Sequence, residues 1–205
     1  MYNPDHFALH DPAALHRILR DHPLGMLVVQ GPDGLDAHHI PLLFDPTSGQ
    51  LGTLTGHVAR ANPLWQQCRD GADVLIVFRG VEGYISPSWY PSKHDTHRQV
   101  PTWNYEVVHV HGRLSAHDDE RFVRGVVARL TRQHEAAEPV PWKMGDAPPD
   151  YLDAMLKAIV GIQVTISRLE GKAKLSQNKA PADRQGAIDA LLARDRADLA
   201  QAMKM

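Results

Sequence analysis

Between Leu51 and Pro63 the chain reads LGTLTGHVARANP, a stretch rich in groups able to do chemistry. Laid out as a strand, it puts Thr53, Thr55 and His57 on one face and Gly52, Leu54, Gly56 and Val58 on the other. A polar row beside two glycines suits a ligand that approaches the backbone closely. Arg60 and then Asn62-Pro63 follow, and the Asn-Pro pair opens a helix. A helix start offers free N–H groups and a positive dipole end, so an arginine beside it makes a phosphate cradle. The plainer reading is that Asn62 merely caps and Arg60 meets solvent. A second anion site is suggested between Arg168 and Arg184, where Arg168, Lys172, Lys174, Lys179 and Arg184 outnumber Glu170 and Asp183. Lys172 and Lys174 share a face if the segment is extended. Ser176, Gln177 and Asn178 add hydrogen-bonding groups beside them. Its plainer reading is a solvated basic tail.

Tyr84, Trp89, Tyr90, Trp103 and Tyr105 form an aromatic group that could carry a flat heterocycle or could simply be core. The chain has 13 histidines. His38 and His39 are adjacent, so on a strand they point opposite ways. His109 and His111 share a strand face, and His94, Asp95 and His97 share a polar loop, but neither set has a second cluster at a zinc spacing. No dedicated metal site is expected. Cys68, the one cysteine, excludes an internal disulfide and reads as a buried structural thiol. The sequence lacks GxGxxG, GxxxxGK[ST], GxSxG and HExxH, so Rossmann, P-loop and the common hydrolase readings have no support.

These groups must be positioned by short elements. Asp11-Pro12 starts a helix that ends at His22-Pro23. Strands are expected at 24–30, 36–44, 51–58, 73–78 and 83–86, with a short helix from Asn62 to near Gly71. Residues 87–101 read as a long polar loop. Thr102 to Leu114 alternates as a strand, with Val108, Val110 and Leu114 on its inner face. An amphipathic helix spans 118–134, a Pro-rich linker follows, and a short helix lies near 151–156. A last strand covers 162–166, and a C-terminal helix runs from about 183 to 204. The pattern is α+β, mainly β: an antiparallel barrel with peripheral helices in one domain over 1–205.

The composition agrees. The 205 residues are 43% hydrophobic and 22% charged, which is globular, and Gly 15 with Pro 15 favours a loop-rich fold. The net charge of −2 lacks the basic footprint of a protein that coats nucleic acid, and no helix-turn-helix pattern is visible. No apolar run reaches the length of a membrane span, and MYNPDHFALH does not read as a secretory leader, so a cytoplasmic protein is expected.

GHVARANP (56–63), GYISPSWYPSK (83–93), VPTWNYEVVHVHG (100–112) and KLSQNK (174–179) stand in an order that resembles the PaiB-type family, the FMN-binding negative transcriptional regulators. MYNPDHF resembles the family's opening. The segment HDTHR, richer in histidine than the family pattern, departs from it. The resemblance implies an FMN-binding split β-barrel, a Greek-key antiparallel barrel, working as a homodimer with flavin at the subunit interface. It implies that FMN phosphate lies near His57, Arg60 and Asn62, with Lys174, Ser176, Gln177 and Asn178 helping. Thr55, Trp89, Thr102, Trp103, Asn104 and Lys172 complete the implied cofactor-binding set. A regulatory or sensor protein is the implied function, with direct DNA binding doubtful on the charge. A flavin-dependent oxidoreductase and a haem-handling split barrel are the alternatives.

Overall fold

The computed structural model describes residues 1–68 and 71–204. In chain order its elements are β1 (Ala8–Leu9), α1 (Pro12–Asp21), β2 (Leu24–Gly31), β3 (Gly34–Pro41), β4 (Leu43–Asp45), β5 (Thr53–Ala59) and α2 (Leu64–Gln67). Then come β6 (Ala72–Ile85), α3 (Pro91–Thr96), β7 (Thr102–His117), α4 (Glu120–His134), α5 (Pro149–Lys157), β8 (Ile159–Lys174), α6 (Pro181–Leu192) and α7 (Ala197–Ala202). Local chemistry sets several boundaries. Asp11 accepts from the Ala13 and Ala14 N–H groups at the start of α1, and Asp119 accepts from Phe122 N–H at the start of α4. Prolines 149 and 181 stand at the first positions of α5 and α6.

The residues pack as two compact units. The sheet unit comprises His22–Phe78 and His109–Leu169. Its strands run in the order β3-β2-β6-β7-β8-β5-β4. β5 lies antiparallel on β8, with His57 opposite Gly161 and Ala59 opposite Ile159. Leu27, Leu54, Ile76, Val110, Leu114, Val126 and Ile162 are buried here. Gly112 lies where a Cβ would stand 2.5 Å from the Thr165 carbonyl oxygen, so this position admits no side chain without a shift of backbone.

The terminal unit comprises Met1–Asp21, Arg79–Val108 and Glu170–Met205. Ile85, Tyr90, Leu175, Ile188, Leu191, Leu199 and Met203 form its core. β6, β7 and β8 supply residues to both units.

Four elements differ from expectation. The strands expected at 73–78 and 83–86 are one strand of 14 residues, β6. β8 continues past Ile166 to Lys174, because backbone pairing with β1 holds the charged stretch extended, Ala8 opposite Lys172. The loop at 87–101 contains α3, whose first turn is held by a buried aspartate described below. The helix expected over 183–204 is broken into α6 and α7, with Asp195 left-handed at φ 57. Of the helix expected from Asn62 to Gly71, α2 is present; positions 69 and 70 lie outside the described residues.

Candidate functional site

The implied cofactor residues divide between the units: Thr55, His57, Arg60 and Asn62 lie in the sheet unit, the other nine in the terminal unit. In the sheet unit, His57 and Asn62 line a cavity of about 530 Å³ together with His38, His39 and Ile159. Thr55 is buried on β5. His57 Nδ1 is buried and has no hydrogen-bond partner among the described residues. Burial holds its imidazole below the ordinary histidine value, so the ring is neutral at physiological pH. Asn62 Oδ1 accepts from Leu64 N–H at 2.9 Å, and its amide nitrogen stands 3.5 Å from His38 Nδ1.

Arg60, partly exposed, makes four hydrogen bonds within the protein. Nη1 and Nη2 donate to the two oxygens of Asp118 at 2.9 and 2.6 Å. Nε donates to the Lys157 carbonyl at 2.6 Å and Nη2 to the Ile159 carbonyl at 3.2 Å. The hydrogen-bonded Asp118 carboxylate raises the guanidinium's value further. The helix beyond it has four residues, Pro63 caps it with no side-chain bond, and Asn62 already satisfies one of its N–H groups. In this structure Arg60 ties the end of β5 to the α5–β8 junction.

In the terminal unit, Thr102, Asn104, Lys174, Ser176 and Asn178 line a cavity of about 190 Å³ with Val100, Pro101 and Lys179. Two of the sequence blocks that resemble the PaiB pattern thus build one pocket: VPTWN at the start of β7 and KLSQNK at the end of β8. Lys174 Nζ donates to Thr102 Oγ1 and to the Trp103 carbonyl oxygen. Its ammonium is held below the ordinary lysine value, first by burial and then by the charges of Lys172 and Lys179. Lys179 Nζ donates to Gln99 Oε1 at 2.7 Å and sits 5.0 Å from the centre of the Tyr90 ring. Ser176, buried and left-handed at φ 64, exchanges hydrogen bonds with the fully buried Asn104. A non-glycine residue in that region is uncommon and is held there by its surroundings. Tyr90 Oη is buried without a hydrogen-bond partner among the described residues. Among the described residues no carboxylate lines this pocket. A surplus of N–H and O–H donors around paired ammonium groups fits a phosphate monoester.

Four implied residues have other partners. Lys172 Nζ donates to the Tyr2 carbonyl oxygen at 3.1 Å, between the Tyr2 and Tyr105 rings at 5.7 and 5.5 Å. Gln177 braces its own turn, accepting from Leu175 N–H and donating to the Ala173 carbonyl oxygen. Trp89 lies 4.8 Å from the Arg194 guanidinium. Trp103 is 55% exposed and meets Tyr84 edge-on at 6.4 Å.

The sequence singles out neither Gln99 nor Glu106, and it offers Lys179 and Asp183 only as charges of the stretch 168–184. Lys179 carries the second ammonium, and Gln99 orients it. Asp183, 2% exposed, accepts from Ser92 N–H and Oγ and from Gln99 Nε2. Glu106, 2% exposed, pairs with Arg17 at 2.6 Å. Its inward position was detectable, because it shares parity with Val108 and Val110 on β7. Gln99 gave no signal, and Asp183 gave only its charge, because its partner Ser92 lies 91 residues away in the chain. Cys68 is buried, and burial raises its thiol, as a structural cysteine requires.

An antiparallel sheet in this order, with helices around it, is the split barrel. The flavocytochrome Anf3 from Azotobacter vinelandii superposes with a TM-score of 0.61 at 14% identity, over 82% of this chain and 69% of its own. The chain belongs to the PaiB-type FMN-binding family: the family described as "Putative FMN-binding domain" matches residues 1–168. The protease synthase and sporulation protein PAI 2 of Bacillus subtilis is 30% identical over 192 residues, covering 93% of this chain and 89% of its own. An uncharacterized protein of Aspergillus fumigatus is 33% identical over 229 residues, covering 90% of this chain and 87% of its own. FMN is the cofactor that defines this family.

Proposed function

We propose that this protein is an FMN-dependent regulatory or sensor protein that holds the cofactor's phosphate in the Lys174 pocket. The observation that carries the reading is the donor set: Lys174 and Lys179, the Thr102 and Ser176 hydroxyls and the Asn178 amide line one pocket with no carboxylate. The bound cofactor supplies one- and two-electron redox chemistry to its surroundings. The protein's own part is positional. Lys174 and Lys179 neutralise the phosphate, and the strained turn at Ser176 presents its hydroxyl. A pocket of about 190 Å³ is smaller than a whole-ligand site and suits one end of a long ligand.

Two further supports concern regulation. The Bacillus subtilis relative is named for protease synthesis and sporulation, and a net charge of −2 favours action through a ligand or a partner over direct DNA contact. A second reading, an oxidoreductase acting on a small substrate, is favoured by the neutral His57 at the cavity of about 530 Å³. The test of the main reading is a fluorescence titration with FMN and with riboflavin, which lacks the phosphate. FMN is expected to bind far more tightly than riboflavin, and equal affinities would refute the phosphate pocket. Flavin-dependent NAD(P)H consumption with a turned-over substrate would move the assignment to the oxidoreductase.

A further inference from the structure

The sheet unit contains a cavity of about 470 Å³ that no part of the flavin reading uses. One wall is a face of α4 with the turn that follows it: Ala128, Thr131 and Arg132 on the helix and Glu135 just beyond its end. The other wall is the segment Pro141–Met144, which presents the Trp142 ring and the Met144 side chain. The segment is fixed in place. Trp142 N–H donates to Glu135 Oε2 at 2.8 Å, and Lys143 N–H donates to Asp146 Oδ2 at 2.9 Å. The cavity is thus pre-formed, and its volume lies within the range of about 300–1,000 Å³ that ligand sites occupy. Its one carboxylate, Glu135, is already engaged by the Trp142 backbone. Arg132, exposed on the rim, has no hydrogen bond or ion pair among the described residues, and Lys143 stands across from it.

We propose that this cavity binds a small, flat aromatic carboxylate, its ring against Trp142 and Met144 and its carboxylate on Arg132. The tryptophan, the thioether and the alanine wall favour a planar apolar body. The unpaired guanidinium favours a planar anion, which it can grip with two N–H groups. Glu135 on the same face disfavours a second negative charge, which selects a monoanion over a dicarboxylate or a phosphate.

The experiment is isothermal titration of the FMN-loaded protein with indole-3-acetate and with its neutral amide, indole-3-acetamide. The acid is expected to bind once per chain and more tightly than the amide. Arg132→Gln should weaken the acid by about 10-fold and leave the amide unchanged. Ala128→Leu, which fills the cavity, should weaken both ligands. Retained flavin absorbance and an unchanged unfolding temperature show that each variant is folded. Equal affinity for acid and amide, no response to Arg132→Gln, or no heat from the parent at about 5 mM acid would each overturn the proposal.

Discussion

Arg60 and Lys174 are both cations in stretches that resemble the PaiB pattern, and their surroundings separate their roles. Arg60 gives four of its N–H groups to Asp118 and two backbone carbonyls, whereas Lys174, which donates to Thr102 and the Trp103 carbonyl, sits among other lysines with hydroxyls and amides around it. Lys174→Ala is therefore expected to weaken FMN by roughly 10- to 100-fold, the worth of a charge-assisted contact, and to leave riboflavin unchanged. Arg60→Ala should lower the thermal unfolding temperature while preserving the preference for FMN over riboflavin. Flavin fluorescence titration of the two variants decides between the pockets; loss of that preference in Arg60→Ala would restore the cradle at β5. His57 gives a pH prediction. Its folded-state value lies below 6.5 because of burial. Below pH 6.5 the unfolded chain takes up a proton that the folded imidazole refuses. Stability therefore falls as the pH drops from about 6.5 toward the folded value. Replacing His57 by Gln should flatten this part of the acid sensitivity, read as the difference in urea midpoint between about pH 7.5 and about pH 5.5.

At the scale of elements, α3 and α6 are joined by Asp183. Its carboxylate satisfies Ser92 N–H, Ser92 Oγ and Gln99 Nε2, and Gln99 in turn accepts from Lys179 at the pocket. Asp183→Ala strands these donors in a buried position, a loss of about 2–3 kcal/mol measured by denaturant unfolding. Asp189→Ala, on the exposed side of α6, should change stability by about 0.5 kcal/mol or less. Because Asp183 also orients Lys179 through Gln99, Asp183→Ala should weaken FMN as well, while Asp189→Ala should not. Much at this scale was legible. α1 and α4 announce themselves by an aspartate cap followed by apolar residues at helical spacing, and those signals are local. β8 is longer than its sequence suggests because Arg168, Glu170, Lys172 and Lys174 look like a solvated tail; pairing with β1 and the contacts of Lys172 with Tyr2 and Tyr105 override that polarity. The loop before β7 hid α3 for a similar reason: its anchor, Asp183, lies far along the chain.

For the whole molecule, exposed Trp103 and Tyr84 meet edge to face, and burying such aromatics is one reason to propose a homodimer. Sedimentation at micromolar protein should give a species of twice the 22.8 kDa chain, and Trp103→Glu should shift it toward the monomer. A single 22.8 kDa species in the parent would exclude the dimer. The protein alone should also fail to bind its own promoter with nanomolar, sequence-specific affinity. Among the described residues no helix is long and apolar enough to cross a membrane. By itself the sequence determined the class of fold, the family and the flavin, because alternation, turn residues and four ordered blocks are properties of short stretches. Only the tertiary structure decided which partners each cation meets. Arg60 and Lys174 look equally able in sequence, and what separates them is Asp118, 58 residues beyond the first, and Thr102, 72 residues before the second. A side chain's charge is local, but its partners are chosen by the fold.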